Sequence, residues 1–301
     1  MQEAVSTFQS KNYWAVILGS SSGMGQAAAR KLARQGMNLC LLHRDRRQAL
    51  PAIEAELEAL RAYGVQVLAY NKDALKADKR SEVLQDLQTA LGTEGRVRLL
   101  LHAISKGNLK LMNPPSPHRA PFETHTDSAT HTQLYQSLEQ LGQEALPTQA
   151  PLLGPTDLQL TIEAMALSLY DWTRALFDAQ LFAADARILG LSSEGSQRAW
   201  RSYAAVSAAK AALEAICRSI ALEFAPYGLR CNIVQPGVTD TPSLRMIPGS
   251  EQLKLRSLLR NPFQRLTTPK DVADVIYLLC RDEAAWINGA LIPVDGGERN
   301  S

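Results

Sequence analysis

The sequence predicts an α/β fold built on a doubly wound parallel sheet. Short apolar runs alternate with amphipathic helical segments, the runs are continuously apolar, and a glycine-rich turn joins the first run to a helix. Continuous apolarity is expected where helices cover both faces of a sheet. Because 46% of the 301 residues are hydrophobic, the chain can bury a large core, and we expect a single domain over residues 1–301.

The predicted elements follow one another in a regular order. Strands are expected at YWAVILG, MNLCLLH, VQVLAY and RVRLLLHAI, and the helices between or after them at QAAARKLARQG, LPAIEAELEALRAYG and KRSEVLQDLQTALG. After an interruption, one long apolar helix covers LQLTIEAMALSLYDWTRALFDAQLF. The later strands are ARILGLSS, LRCNIVQPG and ALIPVDGG, and a helix at DVADVIYLLCRDEA precedes the last of them.

Residues 106–157 interrupt this alternation. They contain seven prolines and the histidines His118, His125 and His131, and one helix is expected at THTQLYQSLEQLGQEA. Connections of this length are uncommon within a compact domain and are usually functional or disordered. We therefore interpret 106–157 as an insertion that forms a lid or a partner surface. The histidine spacings of seven and six suit no common helix face, so no metal site is predicted.

Composition and charge argue against several classes of protein. A net charge of +2 with 21% charged residues indicates neither a nucleic-acid-binding protein nor a disordered one. The four cysteines are scattered, which argues against a zinc site or a disulfide framework and for free thiols. The start of the chain has no apolar signal region, and no apolar run reaches the ~18 residues of a membrane span, so the cytoplasm is the expected location.

The turn GSSSGMGQ follows the first strand and opens a helix. Its glycines Gly19, Gly23 and Gly25 allow the backbone to approach a pyrophosphate closely, and the helix N-terminus offers free N–H groups and a favourable dipole. The turn therefore predicts dinucleotide binding, with a purely structural turn as the alternative. Ser21, Ser22 and Met24 lie on the same turn and are expected to contact the cofactor.

The spacing G-x-x-x-G-x-G resembles the short-chain dehydrogenase/reductase family, and the resemblance extends over nearly the whole chain outside the insertion. It implies a Rossmann fold and a nicotinamide cofactor. The sequence PGVTDT matches the family's P-G-x-x-x-T, which holds the nicotinamide amide and the pyrophosphate. The residues that the resemblance assigns to the cofactor are Asp73 and Ala74 after the third strand, His102, Ala103 and Ile104 after the fourth, and Pro236, Gly237, Val238 and Thr241 after the sixth.

The end of the second strand bears on the choice of cofactor. Family members that use NAD usually carry an aspartate near position 43, and here the strand ends in His43 and Arg44. A guanidinium pairs well with a 2′-phosphate, so Arg44 favours NADPH over NADH. Ser22 is not the second basic residue found in some NADP users. The alternative is that Arg44 is a surface charge beside Asp45.

A tyrosine and a lysine stand seven residues apart in SYAAVSAAK. Most members of the family carry the acid tyrosine four residues before the lysine, which here is Val206 rather than a proton donor. Counting back seven residues from Lys210 gives Tyr203. Seven helical residues turn through roughly 700° and rise ~10 Å, so we expect both side chains on one face of a helix.

This spacing resembles the enoyl-acyl-carrier-protein reductases of the family. Two further features agree: His102, Ala103, Ile104 and Ser105 resemble their His-Ser-Ile, and Ser168 replaces an asparagine of ketone-reducing members. The resemblance implies that Tyr203 donates a hydrogen bond to an enolate oxygen and that Lys210 binds the nicotinamide ribose. We expect Ser193, 17 residues before Lys210, to supply a supporting hydrogen bond.

The implied function is reduction of the 2,3-double bond of an enoyl thioester by NADPH, in fatty acid or polyketide biosynthesis. An acyl-carrier protein is the expected partner, through the basic residues Lys254, Arg256, Arg260 and Arg265. We expect a homotetramer or dimer that associates through the helices at 157–182 and 203–225. The alternatives are an NADP-dependent reductase of carbonyls or other activated alkenes, and a non-catalytic NADP(H)-binding regulator.

Overall fold

The structure, a computed structural model, describes residues 7–114 and 151–301. Its seven strands form one parallel sheet in the order β3-β2-β1-β4-β5-β6-β7, which confirms the predicted doubly wound Rossmann fold. The chain builds outward from β1 to β3 and then crosses to the other side of β1, so the strand order reverses between β1 and β4. Ligands bind at such a switch point, beyond the carboxyl ends of the strands.

The strands lie close to the predicted runs. They are β1 (Tyr13–Leu18), β2 (Asn38–His43), β3 (Val67–Asn71), β4 (Arg96–His102), β5 (Phe182–Leu191), β6 (Leu229–Pro236) and β7 (Leu291–Val294). The central strands are buried along almost their whole length, because helices cover both faces of the sheet.

The helices form two layers, one on each face of the sheet. In the described residues they are α1 (Gly23–Arg34), α2 (Leu50–Arg61), α3 (Ala77–Leu91), α4 (Pro155–Ile162), α5 (Ser168–Asp178), α6 (Ala204–Glu223), α7 (Pro242–Arg245), α8 (Ser250–Arg260) and α9 (Pro269–Cys280). One core packs α3, α5 and α6 against the sheet, and the other packs α1, α2 and α9 against its opposite face. The four cysteines are free and buried, as predicted.

The predicted long helix before β5 is interrupted by a π-helical turn. Glu163–Leu167 form this turn between α4 and α5, so the chain continues without a break but with one widened turn. Such turns occur often at functional sites. Immediately after it, the Ser168 hydroxyl donates to the Ala164 carbonyl oxygen at 2.9 Å, which fixes the direction of this side chain toward β4. The periodicity of the sequence gave no sign of this extra residue.

The described ends of the insertion contact each other. The Leu153 amide donates to the Leu111 carbonyl oxygen at 2.8 Å, and Lys110 forms an ion pair with Asp157 at 2.8 Å. Residues 115–150, with the three histidines and the helix predicted there, lie outside the described residues. The lid or partner role of the insertion therefore stays a prediction.

Two further predictions concern surfaces. The predicted association surface carries exposed apolar side chains, as such a surface requires, and the association itself stays a prediction. These side chains are Leu160, Leu167 and Tyr170 on the α4–α5 segment and Leu222 on α6.

Within residues 7–114 and 151–301, none of the helices combines the length and the apolar character needed to cross a membrane.

Candidate active site

A cleft of about 990 Å³ opens at the carboxyl ends of the strands, where the strand order reverses. It brings together the predicted catalytic residues and almost all of the predicted cofactor contacts. The predicted residues that line it are Gly19, Ser21, Ser22, Gly23, Met24, Gly25, Arg44, Asp73, Ala74, Ala103, Ile104, Ser193, Tyr203, Lys210, Pro236, Gly237, Val238 and Thr241. His102 is the predicted site residue that does not line the cleft.

The glycine-rich turn leaves no room for a side chain at Gly19 or Gly25. Gly19 has a φ of +85°, and a Cβ there would lie 2.7 Å from the Ala103 carbonyl oxygen, while a Cβ at Gly25 would lie 2.1 Å from the Gly19 carbonyl oxygen. At the start of α1, the Ser22 side chain makes no capping hydrogen bond and the first turn carries no acidic residue. The helix N-terminus therefore presents free N–H groups to the cleft, which fits a dinucleotide pyrophosphate.

The end of β2 carries charges that the sequence did not predict in detail. Arg44 lines the cleft and forms an ion pair with Asp73 at 3.1 Å, rather than standing beside Asp45. Its side chain is 60% exposed, so the guanidinium is accessible to a ligand. The Asp45 carboxylate is bound instead to His43 Nδ1 at 3.0 Å. The spacing His43-x-Asp45 in the sequence was the available sign of this pair.

Tyr203, Lys210 and Ser193 meet where β5 ends. The Tyr203 hydroxyl lies 3.4 Å from Ser193 Oγ, and the Lys210 ammonium donates to the Leu191 carbonyl oxygen at 2.6 Å. Burial raises the pKa of the Tyr203 phenol, so the phenol is neutral at physiological pH. Burial also lowers the pKa of Lys210 to about 8, against the opposing effect of Glu214. The cleft is thus lined by a neutral phenol and by a lysine whose pKa is lower than that of an ordinary lysine.

Tyr203 stands at the start of α6 rather than inside it. The helix begins at Ala204, and Tyr203 is its N-cap residue with φ −107° and ψ 2°. The expectation that both side chains belong to one helix was therefore wrong by one residue, because regular helical backbone geometry begins at Ala204, one residue after the tyrosine. Val206 is buried, at 4% exposure, and packs with Ala164 and Met165. The position four residues before Lys210 is thus apolar in its surroundings as well as in its side chain.

His102 is buried beneath the cleft and bound to Ser168. Its Nε2 lies 2.7 Å from Ser168 Oγ, and since that hydroxyl donates to Ala164, the imidazole Nε2–H is the donor in this pair. Burial lowers the pKa of His102 to about 3, with a further contribution from Lys210, so the ring is neutral. His102 and Ser168 form an internal pair that joins β4 to the α4–α5 segment, and the His102 side chain does not line the cleft, so the cofactor contact expected at this position stays a prediction.

The basic residues predicted to dock a carrier are mostly neutralised by carboxylates of this chain. Arg260 binds Glu194, Arg265 binds Asp271, and Lys254 binds Glu251 and Asp240. Within the described parts of the chain, Arg256 has no carboxylate partner, and its guanidinium stacks on the Trp200 ring at 5.4 Å. Arg256 and Trp200 both line the cleft.

Two family models match the chain. Residues 146–298, just over half of the chain, match a family model described as "Enoyl-(Acyl carrier protein) reductase". Residues 13–111 match a second model, described as "short chain dehydrogenase". The two matches cover both sides of the insertion and most of the sheet.

Curated relatives with different activities resemble the chain. A 1-cyclohexenylcarbonyl-CoA reductase from Streptomyces collinus is 42% identical over 113 residues, which is 37% of this chain and 40% of the relative. The chain thus matches about two fifths of the length of that relative. An uncharacterised oxidoreductase from Bacillus subtilis is 23% identical over 95% of this chain and 98% of its own length. An L-rhamnose 1-dehydrogenase (NAD(P)(+)) from Azotobacter vinelandii is 26% identical over 94% of both.

Solved structures share the fold at low identity. An enoyl-(acyl-carrier-protein) reductase from Anaplasma phagocytophilum in complex with NAD aligns with a TM-score of 0.72 and 16% identity, over 100% of this chain and 96% of that one. A putative gluconate dehydrogenase from Agrobacterium tumefaciens aligns with a TM-score of 0.73 and 19% identity, over 98% of this chain and 99% of that one. The sheet order, the glycine-rich turn and the two family models all indicate the same family. The chain belongs to the short-chain dehydrogenase/reductase family of nicotinamide-dependent oxidoreductases.

Proposed function

We propose that this protein reduces the 2,3-double bond of an enoyl thioester with hydride from NADPH. One observation carries the proposal: the position four residues before Lys210 is a buried valine, and the phenol that lines the cleft belongs to Tyr203. A valine cannot protonate an alkoxide. The donor therefore lies further from Lys210 along the chain than the acid of a ketone reductase does.

The displaced phenol suits conjugate reduction. The bound nicotinamide supplies a hydride, which in this reaction goes to the β-carbon of the substrate. Negative charge gathers on the thioester oxygen, which is several bonds away from that carbon. A neutral phenol that is displaced along the chain from the usual acid position can donate a hydrogen bond to the developing enolate oxygen. The raised pKa of Tyr203 keeps the proton in place for that role.

Lys210 and Ser193 support the tyrosine in this proposal. The Lys210 ammonium, fixed by the Leu191 carbonyl oxygen, donates to the nicotinamide ribose and adds a positive charge near the developing enolate. Ser193 lies at hydrogen-bonding distance from the phenol and orients it. The glycine turn holds the pyrophosphate, and Thr241 faces Gly23 across the same part of the cleft.

The Streptomyces relative supports the same substrate class. Its name describes a double bond conjugated to the carbonyl of a coenzyme A thioester. A carbonyl reductase remains the second candidate, because the Ser193–Tyr203 contact of 3.4 Å is also what carbonyl reduction needs. The two candidates differ in the atom that Tyr203 must reach, and they are therefore separable by substitution.

Tyr203→Phe keeps the ring and its packing and removes the donor. We expect kcat/KM for a crotonyl thioester to fall by about 10²-fold, the lower end of general acid contributions, since an enolate is a milder base than an alkoxide. Tyr227→Phe, an exposed phenol outside the cleft, is the matched control and should keep the wild-type rate.

A second substitution tests the position of the acid. Val206→Tyr, introduced into the Tyr203→Phe protein, should not restore enoyl reduction, because its phenol would point at the wrong atom. Rescue of the crotonyl reaction by tyrosine at position 206, or an unimpaired Tyr203→Phe protein, would count against Tyr203 as the donor.

The NADPH preference rests on the cations that follow β2 and β3. Arg44, Arg46 and Lys72 line this part of the cleft together with Asp45 and Asp73. Asp45 is held by His43 and Asp73 by Arg44, so neither carboxylate stands alone toward a 2′-phosphate. Arg44 comes directly after β2, and its guanidinium, although paired with Asp73, is 60% exposed and can bind the phosphate in two-pronged fashion.

Arg44→Ala should therefore raise the KM for NADPH by about 10- to 100-fold, the range of a hydrogen bond between charged groups. The KM for NADH should change little, because NADH has no 2′-phosphate. Arg47→Ala removes an exposed arginine that does not line the cleft and serves as the control. Equal use of NADH and NADPH by the wild-type protein would overturn the preference.

The carrier of the acyl group is the third part of the proposal. Acyl-carrier proteins and coenzyme A both present a phosphate on the arm that bears the thioester. Arg256 is the member of the predicted basic rim whose charge is not neutralised by a carboxylate of the described chain, and stacking on Trp200 fixes its direction. It is therefore the residue of this rim that we expect to contact the carrier.

Arg256→Gln should lower kcat/KM about 10-fold for crotonyl thioesters of acyl-carrier protein and of coenzyme A, by loss of one charged contact. The phosphate-free N-acetylcysteamine thioester should react as with the wild type. Arg47→Gln is again the control. A loss confined to the acyl-carrier-protein substrate would indicate a contact with the carrier protein itself, and equal losses on all three substrates would rule out a carrier contact.

A further inference from the structure

Three consecutive residues at the end of β5 each bind a polar side chain that belongs to α6 or its N-cap. Leu191 accepts from Lys210, Ser192 donates to a carboxylate oxygen of Glu214, and Ser193 contacts Tyr203. Two of the three bound side chains, Lys210 and Tyr203, belong to the proposed chemistry. Glu214 has no role in it, although it is held in the same way.

Glu214 is a buried acid in an unusual position. It is 8% exposed and does not line the cleft, and carboxylates are rarely buried unless they are paired. It lies four residues after Lys210, so the two side chains are neighbours on one face of α6. Lys210 is itself only 6% exposed, and in the part of the chain that the structure describes its ammonium has one hydrogen-bond acceptor, the Leu191 carbonyl oxygen.

We infer that Glu214 is a positioning residue whose buried carboxylate, anchored by Ser192, is the counter-charge that keeps Lys210 in its ammonium form. The inference rests on the cofactor half of the proposed function, in which Lys210 binds the nicotinamide ribose. It does not depend on which substrate is reduced. A buried ammonium with a single neutral acceptor is poorly stabilised, and a nearby carboxylate compensates for the missing water.

The groups around Lys210 determine the sign of the effect. Burial lowers the pKa of Lys210 to about 8, and Glu214 raises it. On β4, His102 is neutral because burial lowers its pKa to about 3. At the N-cap of α6, Tyr203 is neutral because burial raises its pKa. The β5 residues in contact are Leu191 and the two serines, and the π turn contributes Ala164 and Met165, which are all uncharged.

It follows that Lys210 loses its proton first as the pH rises. Cofactor affinity should be highest below about pH 8 and should fall as Lys210 deprotonates. Removing the charge of Glu214 takes away a stabilising partner of the ammonium, so the fall should begin at a lower pH. The Glu214 carboxylate is bound by Ser192 and forms no direct ion pair with Lys210, so we expect a change of about 1 unit, the low end for neighbouring opposite charges.

The test measures the NADPH dissociation constant by nucleotide fluorescence between about pH 6 and pH 10, a range that spans the Lys210 pKa of about 8. In Glu214→Gln, the loss of affinity should move to lower pH by about 1 unit, while affinity at the acid end equals that of the wild type. Ser192→Ala keeps the charge and should show a smaller displacement. Glu223→Gln, the same change at an exposed position of α6, should match the wild type.

A second pair of variants identifies the titrating group. Arginine remains charged over this pH range, so Lys210→Arg should bind NADPH without the loss at high pH, and adding Glu214→Gln should not bring it back. Glu214→Asp retains the carboxylate and should behave as the wild type. If Glu214→Gln does not fold, Ser192→Ala decides the test, because its loss of affinity should also move to lower pH, and an unchanged pH profile would count against the inference.

Two results would overturn the inference. One is a Glu214→Gln protein whose affinity falls at the wild-type pH. The other is a protein whose affinity is reduced equally at every pH, which would indicate a purely structural role. If the wild-type protein binds neither NADPH nor NADH, the proposed function fails instead, and that outcome is visible before any variant is made.

Discussion

The hydrogen bond from Lys210 to the Leu191 carbonyl oxygen is the contact on which the rest of the site depends. It attaches α6 to the end of β5 in one register, and that register brings Tyr203 to Ser193 and Glu214 to Ser192. Because α6 is fixed in this way, Val206 packs against Ala164 and Met165, and its apolar side chain lines the cleft at the position four residues before Lys210. In the proposed function, the choice of Tyr203 as proton donor thus depends on where one buried ammonium is held.

The fold itself does not decide the reaction. The same sheet aligns almost equally well with an enoyl reductase and with a putative gluconate dehydrogenase, at TM-scores of 0.72 and 0.73. Function must therefore be argued from the side chains at the carboxyl edge of the sheet. There the chain combines a cleft at the switch point of the sheet with a tyrosine at the N-cap of α6, which we propose as the donor, and with a buried His102–Ser168 pair.

Most of the fold and of the cleft could be predicted from the sequence, because both depend on patterns of neighbouring residues. Apolar runs gave the strands, and the glycine spacing located the pyrophosphate turn. The contacts that escaped prediction depend on tertiary burial. The neutral, inward-facing His102 requires Ser168 from a distant helix, and the pairing of Arg44 with Asp73 requires β2 and β3 to be adjacent. From the sequence alone, Glu214 is indistinguishable from an exposed acidic residue of a helix, and only the structure shows that it is buried.

The most direct test of Tyr203 as the donor is the selectivity of one preparation between two thioesters. The comparison is kcat/KM with NADPH for crotonyl and for acetoacetyl thioesters on the same carrier, measured side by side. With a valine in place of the carbonyl acid, the enoyl substrate should be preferred by about 10²-fold or more, the usual contribution of a general acid. A faster reaction with the acetoacetyl thioester would contradict it and would identify the protein as a carbonyl reductase.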